Sequence, residues 1–207
     1  MKIIINADDY GLSKEFNGGI LELAGKRIVS SITVMINRKY VKPLDLLTFK
    51  NISVGLHLEL KEKASLEEIE SQVKKFKNKF KKIPSHLDGH KHCHLTKNNL
   101  PKVIRIAQRY NLPVRSKLTQ DRKMLREYKI KTPDRFISWH PKRKERFFNR
   151  IKNIKSPACE IVCHPGYFDK NYKHSYNKQR EQELRILKSG EFKTIIKKYK
   201  SVNYSGL

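Results

Sequence analysis

Cysteine is scarce in this chain. Cys93, Cys159 and Cys163 make an odd count with no Cys-x-x-Cys pair, which argues against a disulfide framework or a zinc ribbon and fits a reducing compartment. Long apolar runs are also missing. The N-terminal run Ile3-Ile4-Ile5 soon meets Asp8 and Asp9, so it is too short for a secretion signal or a membrane span. A cytoplasmic protein without a membrane partner is expected. Acidic residues are few, 20 Asp+Glu against 46 Lys+Arg, giving a formal net charge of +26. Such an imbalance attracts polyanions and raises nucleic acid as a partner. The basic residues are nevertheless spread through almost every segment. Their densest run, Lys74 to Lys82, reads as a solvated helix face with Phe76 and Phe80 behind it. With no nucleic-acid motif in view, nucleic acid is not the expected partner.

A length of 207 residues suits one sizeable core, so a single domain over 1–207 is expected. Strand and helix patterns alternate along it. Lys2–Ala7, Ser31–Ile36, Ile52–Leu60, His86–His94, Pro113–Lys117, Phe136–Trp139 and Glu160–Cys163 read as strands, and Val202–Tyr204 is a further candidate. Helices are expected from Gly18 to about Lys26, from a Ser65/Glu68 capping box to Pro84, over Leu100–Tyr110, around Phe147–Ile154, and over Gln182–Leu187 and Phe192–Tyr199. The alternation implies a mostly parallel sheet of seven or eight strands. Polar residues gather just after the strands, where a (β/α) barrel places its active site. A distorted barrel is the expected fold, and an open doubly wound sheet is its alternative.

Six of the eight histidines fall at these strand ends. The segments are Asn6-Ala7-Asp8-Asp9-Tyr10-Gly11, Gly55-Leu56-His57, His86-x-Asp88-x-His90-x-His92-x-His94 and Cys163-His164-Pro165-Gly166. In an extended chain, alternate members of the histidine run share one face, roughly 6.5–7 Å apart, and the ends lie about 26 Å apart. Metal–nitrogen bonds are only about 2.0–2.1 Å long, so one or two members at most can share an ion. Asp9 and His57 are natural candidates to complete the set. Two adjacent carboxylates repel in one pocket unless a cation is bound by one, which leaves the other free as a base.

In this order, Asn-Ala-Asp-Asp-Tyr-Gly, Gly-Leu-His-Leu, His-Leu-Asp-Gly-His-x-His-x-His and Cys-His-Pro-Gly resemble the motifs of YdjC-like carbohydrate deacetylases. The resemblance runs from residue 6 to 166, and Arg180-x-x-Glu183-Leu184 is similar too. It implies a β/α-barrel-type fold and hydrolysis of the N-acetyl group of a sugar or oligosaccharide, with one divalent ion, magnesium or zinc. Asp9, His57 and His90 would be the ligands, Asp8 the base and, by weaker analogy, His164 the acid. Arg115, Tyr167 and His94 are candidates for substrate contact, with a solvated arginine, loop packing and an alternate metal ligand as their respective alternatives. His86 and Asp88 are expected to support the ligands, and His92 is left without a role.

The chain departs from the family's usual pattern by passing directly from Leu60 into the Ser65 helix, which would open the mouth of the site. A phosphoesterase is the rival enzyme, although such barrels commonly present His-x-His after the first strand, where this chain has Asp8-Asp9. The sequence leaves a homodimer open.

Overall fold

The computed structural model describes residues 1–174 and 176–207. Its framework starts with β1 (Lys2–Tyr10), α1 (Lys14–Gly25), β2 (Ser31–Val34), α2 (Pro43–Leu47), β3 (Ser53–Leu58) and α3 (Leu66–Phe80). It continues with β4 (Leu87–Gly89), α4 (Leu100–Tyr110), α5 (Thr119–Glu127), β5 (Arg135–Ser138), α6 (Lys144–Lys152) and β6 (Ala158–Cys163). α7 (Tyr176–Lys188), α8 (Gly190–Ile196) and β7 (Lys200–Ser201) complete it.

Each ladder is parallel, in the order β4-β3-β2-β1-β6-β5, with β7 on the N-terminal part of β1. Residues 114–116 bridge the gap between the outer strands. Val114 pairs with Leu87 beside β4, and its N–H donates to the Lys131 carbonyl at 3.0 Å. The sheet is therefore a curled, incompletely closed barrel, as the alternation implied. Apart from the exposed β7, its strands are largely buried on both faces, which explains runs such as Ile3-Ile4-Ile5 rather than polar/apolar alternation.

α3 forms where its signals place it. Ser65 Oγ accepts from the Glu68 amide at 3.1 Å, and Glu68 accepts from the Ser65 amide at 2.7 Å. Ile69, Val73, Phe76 and Phe80 are buried. The short connection before it is pinned. Gln72 bonds the Glu59 N–H and carbonyl at 3.1 and 2.9 Å, and Asn99 bonds the Ala64 N–H and Lys61 carbonyl at 3.1 and 2.9 Å.

Other boundaries differ from expectation. α1 begins before its glycines, on a Ser13 cap. Gly18 and Gly19 lie inside it because the loop after β6 packs there: a Cβ at Gly19 would lie 2.7 Å from Gly166 Cα. α5 was not expected, since its polar surface leaves only Leu125 as a buried apolar residue; Asp121 caps it by accepting from the Lys117 and Leu118 amides. The last strand is Lys200–Ser201 rather than 202–204, and Tyr204 instead turns under the barrel to stack on His86, 3.5 Å between centroids. Among the described residues, no helix is long and apolar enough to cross a membrane.

Candidate active site

A β-bulge builds the first wall. β1 pairs with β2 as Asn6↔Ser31 and Ala7↔Ile32, then slips to Tyr10↔Val34, and Asp9 takes a φ of 69°. Regular alternation would send Asp8 and Asp9 to opposite faces. The extra residue, held in a left-handed conformation that Asp tolerates, re-aims the pair. Both line the same pocket.

The histidine run does not stay extended. After β4 the chain enters a 3₁₀ turn over His90–Leu95, with φ of 52° at Lys91 and 59° at His92. The run splits accordingly: His90 and His92 line the pocket, whereas His86 and His94 are fully buried away from it.

Asp9, His57 and His90 converge. Asp9 Oδ1 lies 3.2 Å from His57 Nε2 and 3.1 Å from His90 Nδ1. One donor atom from each lies within 4.8 Å of the others. Arg180 Nη2 takes the remaining Asp9 oxygen at 2.5 Å, which leaves Oδ1 for the histidines. His57 Nδ1 lies 2.7 Å from Asp88 Oδ1. With Nδ1–H donating to Asp88, Nε2 is the nitrogen turned to Asp9 and, on giving up its hydrogen, the one that can ligate a metal, the carboxylate–histidine arrangement that orients metal ligands. Two imidazoles and one carboxylate oxygen, open to the pocket, fit a divalent cation with free coordination positions.

Asp8, His57 and Asp88 form a second close set, but its countercharge is already present in Arg115. Arg115 is fully buried and donates to both Asp8 oxygens at 2.7 and 2.8 Å. It also meets Asp88 at 2.8 Å and Glu160 at 2.8 and 3.0 Å. Burial opposes ionisation of Asp8, yet Arg115 and then His57 hold its carboxyl well below the usual range. For His57, burial is likewise outweighed by Asp88 and Asp8, which raise it well above an ordinary imidazole. Glu160 is raised by burial.

His164 stands opposite the ligand set, its Nε2 3.7 Å from Asp8 Oδ2 and its Nδ1 3.9 Å from Glu183 Oε2. Burial pushes its pKa down. Its loop is seated on α1, where Gly166 meets Gly19 and the Tyr167 amide donates to the Glu15 carbonyl at 3.1 Å. The cavity between these walls measures about 360 Å³, and Phe136, Trp139, Tyr172 and Tyr176 supply aromatic surface.

Asp8, Asp9, His57, His90 and His164 thus meet around one pocket. The three residues expected at the substrate do not line it. Arg115 is consumed by buried carboxylates, and His94 is fully buried with Nε2 3.2 Å from the Arg115 carbonyl. The Tyr167 hydroxyl turns outward to Glu22 at 2.7 Å. Each of the three is turned from the pocket by a partner of its own: buried carboxylates for Arg115, a backbone carbonyl for His94 and Glu22 for Tyr167. Arg180, His92 and the aromatic wall had no assigned role. The spacing Arg180-x-x-Glu183, one helical face, was the available signal for Arg180; nothing in the sequence marked Phe136 or Trp139.

A family model described as YdjC-like protein matches residues 2–67 and 61–198. A carbohydrate deacetylase of Brevibacillus brevis is 30% identical, with 100% of both chains covered. A chitooligosaccharide deacetylase of Serratia marcescens is 26% identical, covering 94% of this chain and 93% of its own. The crystal structure of an Enterococcus faecalis protein designated a candidate for cellobiose-phosphate cleavage superposes with a TM-score of 0.83 at 25% identity, covering 99% of this chain and 98% of that one.

Proposed function

Because this chain belongs to the YdjC-like protein family, we propose that it is a metal-dependent carbohydrate deacetylase, hydrolysing the N-acetyl group of an N-acetylated sugar or oligosaccharide to acetate and an amine. The observation that carries the reading is the convergence of Asp9, His57 and His90 at one side of a pocket that Asp8 and His164 flank. Carbohydrate deacetylase relatives along nearly the whole chain support the same class.

Asp9 Oδ1, His57 Nε2 and His90 Nδ1 would hold one divalent ion, magnesium or zinc. When bound, it would polarise the acetyl carbonyl and make water more acidic. Asp8 is the base. Its bidentate contact with Arg115 keeps it ionised and fixed beside the ligand set, ready to accept a proton from the attacking water. His164, across the pocket, gives a proton to the departing nitrogen. Trp139, Phe136 and Tyr176 offer flat apolar faces to a sugar ring and exclude water from around it. Arg115, buried, serves by holding Asp8 rather than by touching substrate.

The test is acetate release from a panel of N-acetylated sugars by purified protein, before chelation, after it and after metal add-back. Metal-dependent acetate that disappears in Asp9→Ala and His90→Ala is the expected outcome. A tightly bound ion with no acetate from any sugar would overturn the deacetylase reading.

A further inference from the structure

Three residues of α7 face the site. Tyr176 and Arg180 reach the pocket wall, and Glu183 lies fully buried behind His164. Its Oε2 accepts from the Tyr176 hydroxyl at 3.4 Å and lies 3.9 Å from His164 Nδ1. Its Oε1 has no partner among the described residues. The other buried carboxylates around the site differ in one respect. Asp8, Asp88 and Glu160 each meet the Arg115 guanidinium at 2.7–2.8 Å, and Asp9 meets Arg180 at 2.5 Å. Among the described residues, Glu183 has no lysine or arginine at ion-pair distance. A buried carboxylate without a countercharge is costly, and the group avoids that cost by keeping its proton.

We propose that Glu183 is a positioning residue that stores a proton behind His164 and passes it forward as the sugar nitrogen departs. His164 rests neutral, with hydrogen on Nε2 toward the pocket and with Nδ1 turned to the Glu183 carboxyl, from which it accepts once the gap closes. As the C–N bond breaks, the Nε2 hydrogen goes to the nitrogen and the Glu183 proton moves to Nδ1. The imidazole ends neutral as the other tautomer, and Glu183 ends as a carboxylate. Asp8 has meanwhile gained one proton from water, so exchange with solvent resets both acids. The 3.9 Å gap exceeds a hydrogen bond, and catalytic contacts of this kind commonly tighten when substrate binds.

Titration agrees with this geometry. Burial pushes Glu183 up to about 8 and pushes His164 down, so at neutral pH the proton belongs to the carboxyl. The groups facing Glu183 are Tyr176 and Arg180 from α7, Cys163 and His164 from the end of β6, and Asp8 from β1. The inference rests on the deacetylase reading.

Its test compares Glu183→Gln with the parent on an N-acetylated sugar and on an aryl acetate, whose leaving group needs no proton. The expected result is a ratio of amide to ester turnover lower by roughly 100-fold, with KM and bound metal unchanged. Glu183→Asp should recover part of the ratio, and the alkaline fall in kcat should move to lower pH in Glu183→Gln. An unchanged ratio in a folded, metal-loaded variant overturns the proposal, whereas a parent inactive on every acetylated sugar overturns the deacetylase reading instead. Should Glu183→Gln not fold, the ¹⁵N spectrum of the parent's imidazoles decides: hydrogen on His164 Nε2 at neutral pH supports the relay, and hydrogen on Nδ1 ends it.

Discussion

Asp88 Oδ1 lies 2.7 Å from His57 Nδ1, and this contact decides which imidazole nitrogen is free to face Asp9. Thr33 Oγ1 donates to the other Asp88 oxygen at 3.0 Å, so the carboxylate is itself fixed. Asp88→Asn should weaken divalent-ion affinity by roughly 10- to 100-fold, the usual consequence of losing such a partner. Titration of metal-free protein with zinc and magnesium measures it. Undiminished affinity would mean that His57 is oriented by packing alone.

Asp8 carries the next expectation. Asp8→Asn keeps the volume and some contact with Arg115 but removes the base. It should retain one metal ion per chain while kcat falls by roughly 10²- to 10⁴-fold. Metal analysis alongside acetate release separates the two effects, and full activity in the metal-loaded variant would take Asp8 out of the base role.

Arg115 is the countercharge for three buried carboxylates. Arg115→Met should cost about 3–5 kcal/mol, the usual penalty for stranding buried charges. Urea unfolding measures it. A loss below about 1 kcal/mol would show that the carboxylates neutralise one another by taking up protons.

Glu183 makes a signed prediction about pH. Its folded pKa of about 8 lies above the ordinary 4.5. Its contribution to stability is therefore full below about pH 4.5 and is lost as pH rises through 8. Glu183→Gln, which stays neutral, should gain on the parent between pH 5 and pH 8. Unfolding of metal-free protein at the two values tests this, and a pH-independent difference would show that Glu183 is ionised throughout.

The seat of the His164 loop gives a fifth. A Cβ at Gly19 meets Gly166 backbone atoms at 2.7–3.1 Å, whereas one at Gly25, in the same helix, meets nothing within 4 Å. Gly19→Ala should destabilise by about 1–3 kcal/mol and lower kcat as the loop shifts. Gly25→Ala should be neutral or slightly stabilising. Equal melting temperatures for the two variants would show that the loop adapts.

The barrel-type fold was legible because parallel strands are buried on both faces and leave continuous apolar runs between amphipathic helices. The Ser65/Glu68 cap and the Leu100–Tyr110 helix were readable to the residue or nearly so. α5 was not, since Thr119–Glu127 meets the core through little beyond Leu125. Within the site, sequence could gather Asp8, Asp9, His57, His90 and His164 because each ends or follows a strand. It could not foresee left-handed backbone at Lys91 and His92, which parts His90 from His94. Nor could it show that Arg115 points inward, because the expected strand over Pro113–Lys117 is a single bridge at Val114, where side-chain direction depends on neighbours far away in the chain.

β1 pairs with residues 158–163 on one side and with residues 200–201 on the other. Lys2 and Ile3 therefore stay without a partner strand on either side until residues 158–163 and 200–201 have been made, whereas Ile5 to Tyr10 meet residues 30–34 early. The β1–β6 and β1–β7 pairings are the distant ones in a sheet otherwise built from successive strands, and such pairings are slow to form, so the nascent protein spends that interval with one edge of an apolar strand unshielded. Occupancy of a chaperone by the N-terminal segment, falling as the C-terminal segment is released, is the cellular signature this topology should leave.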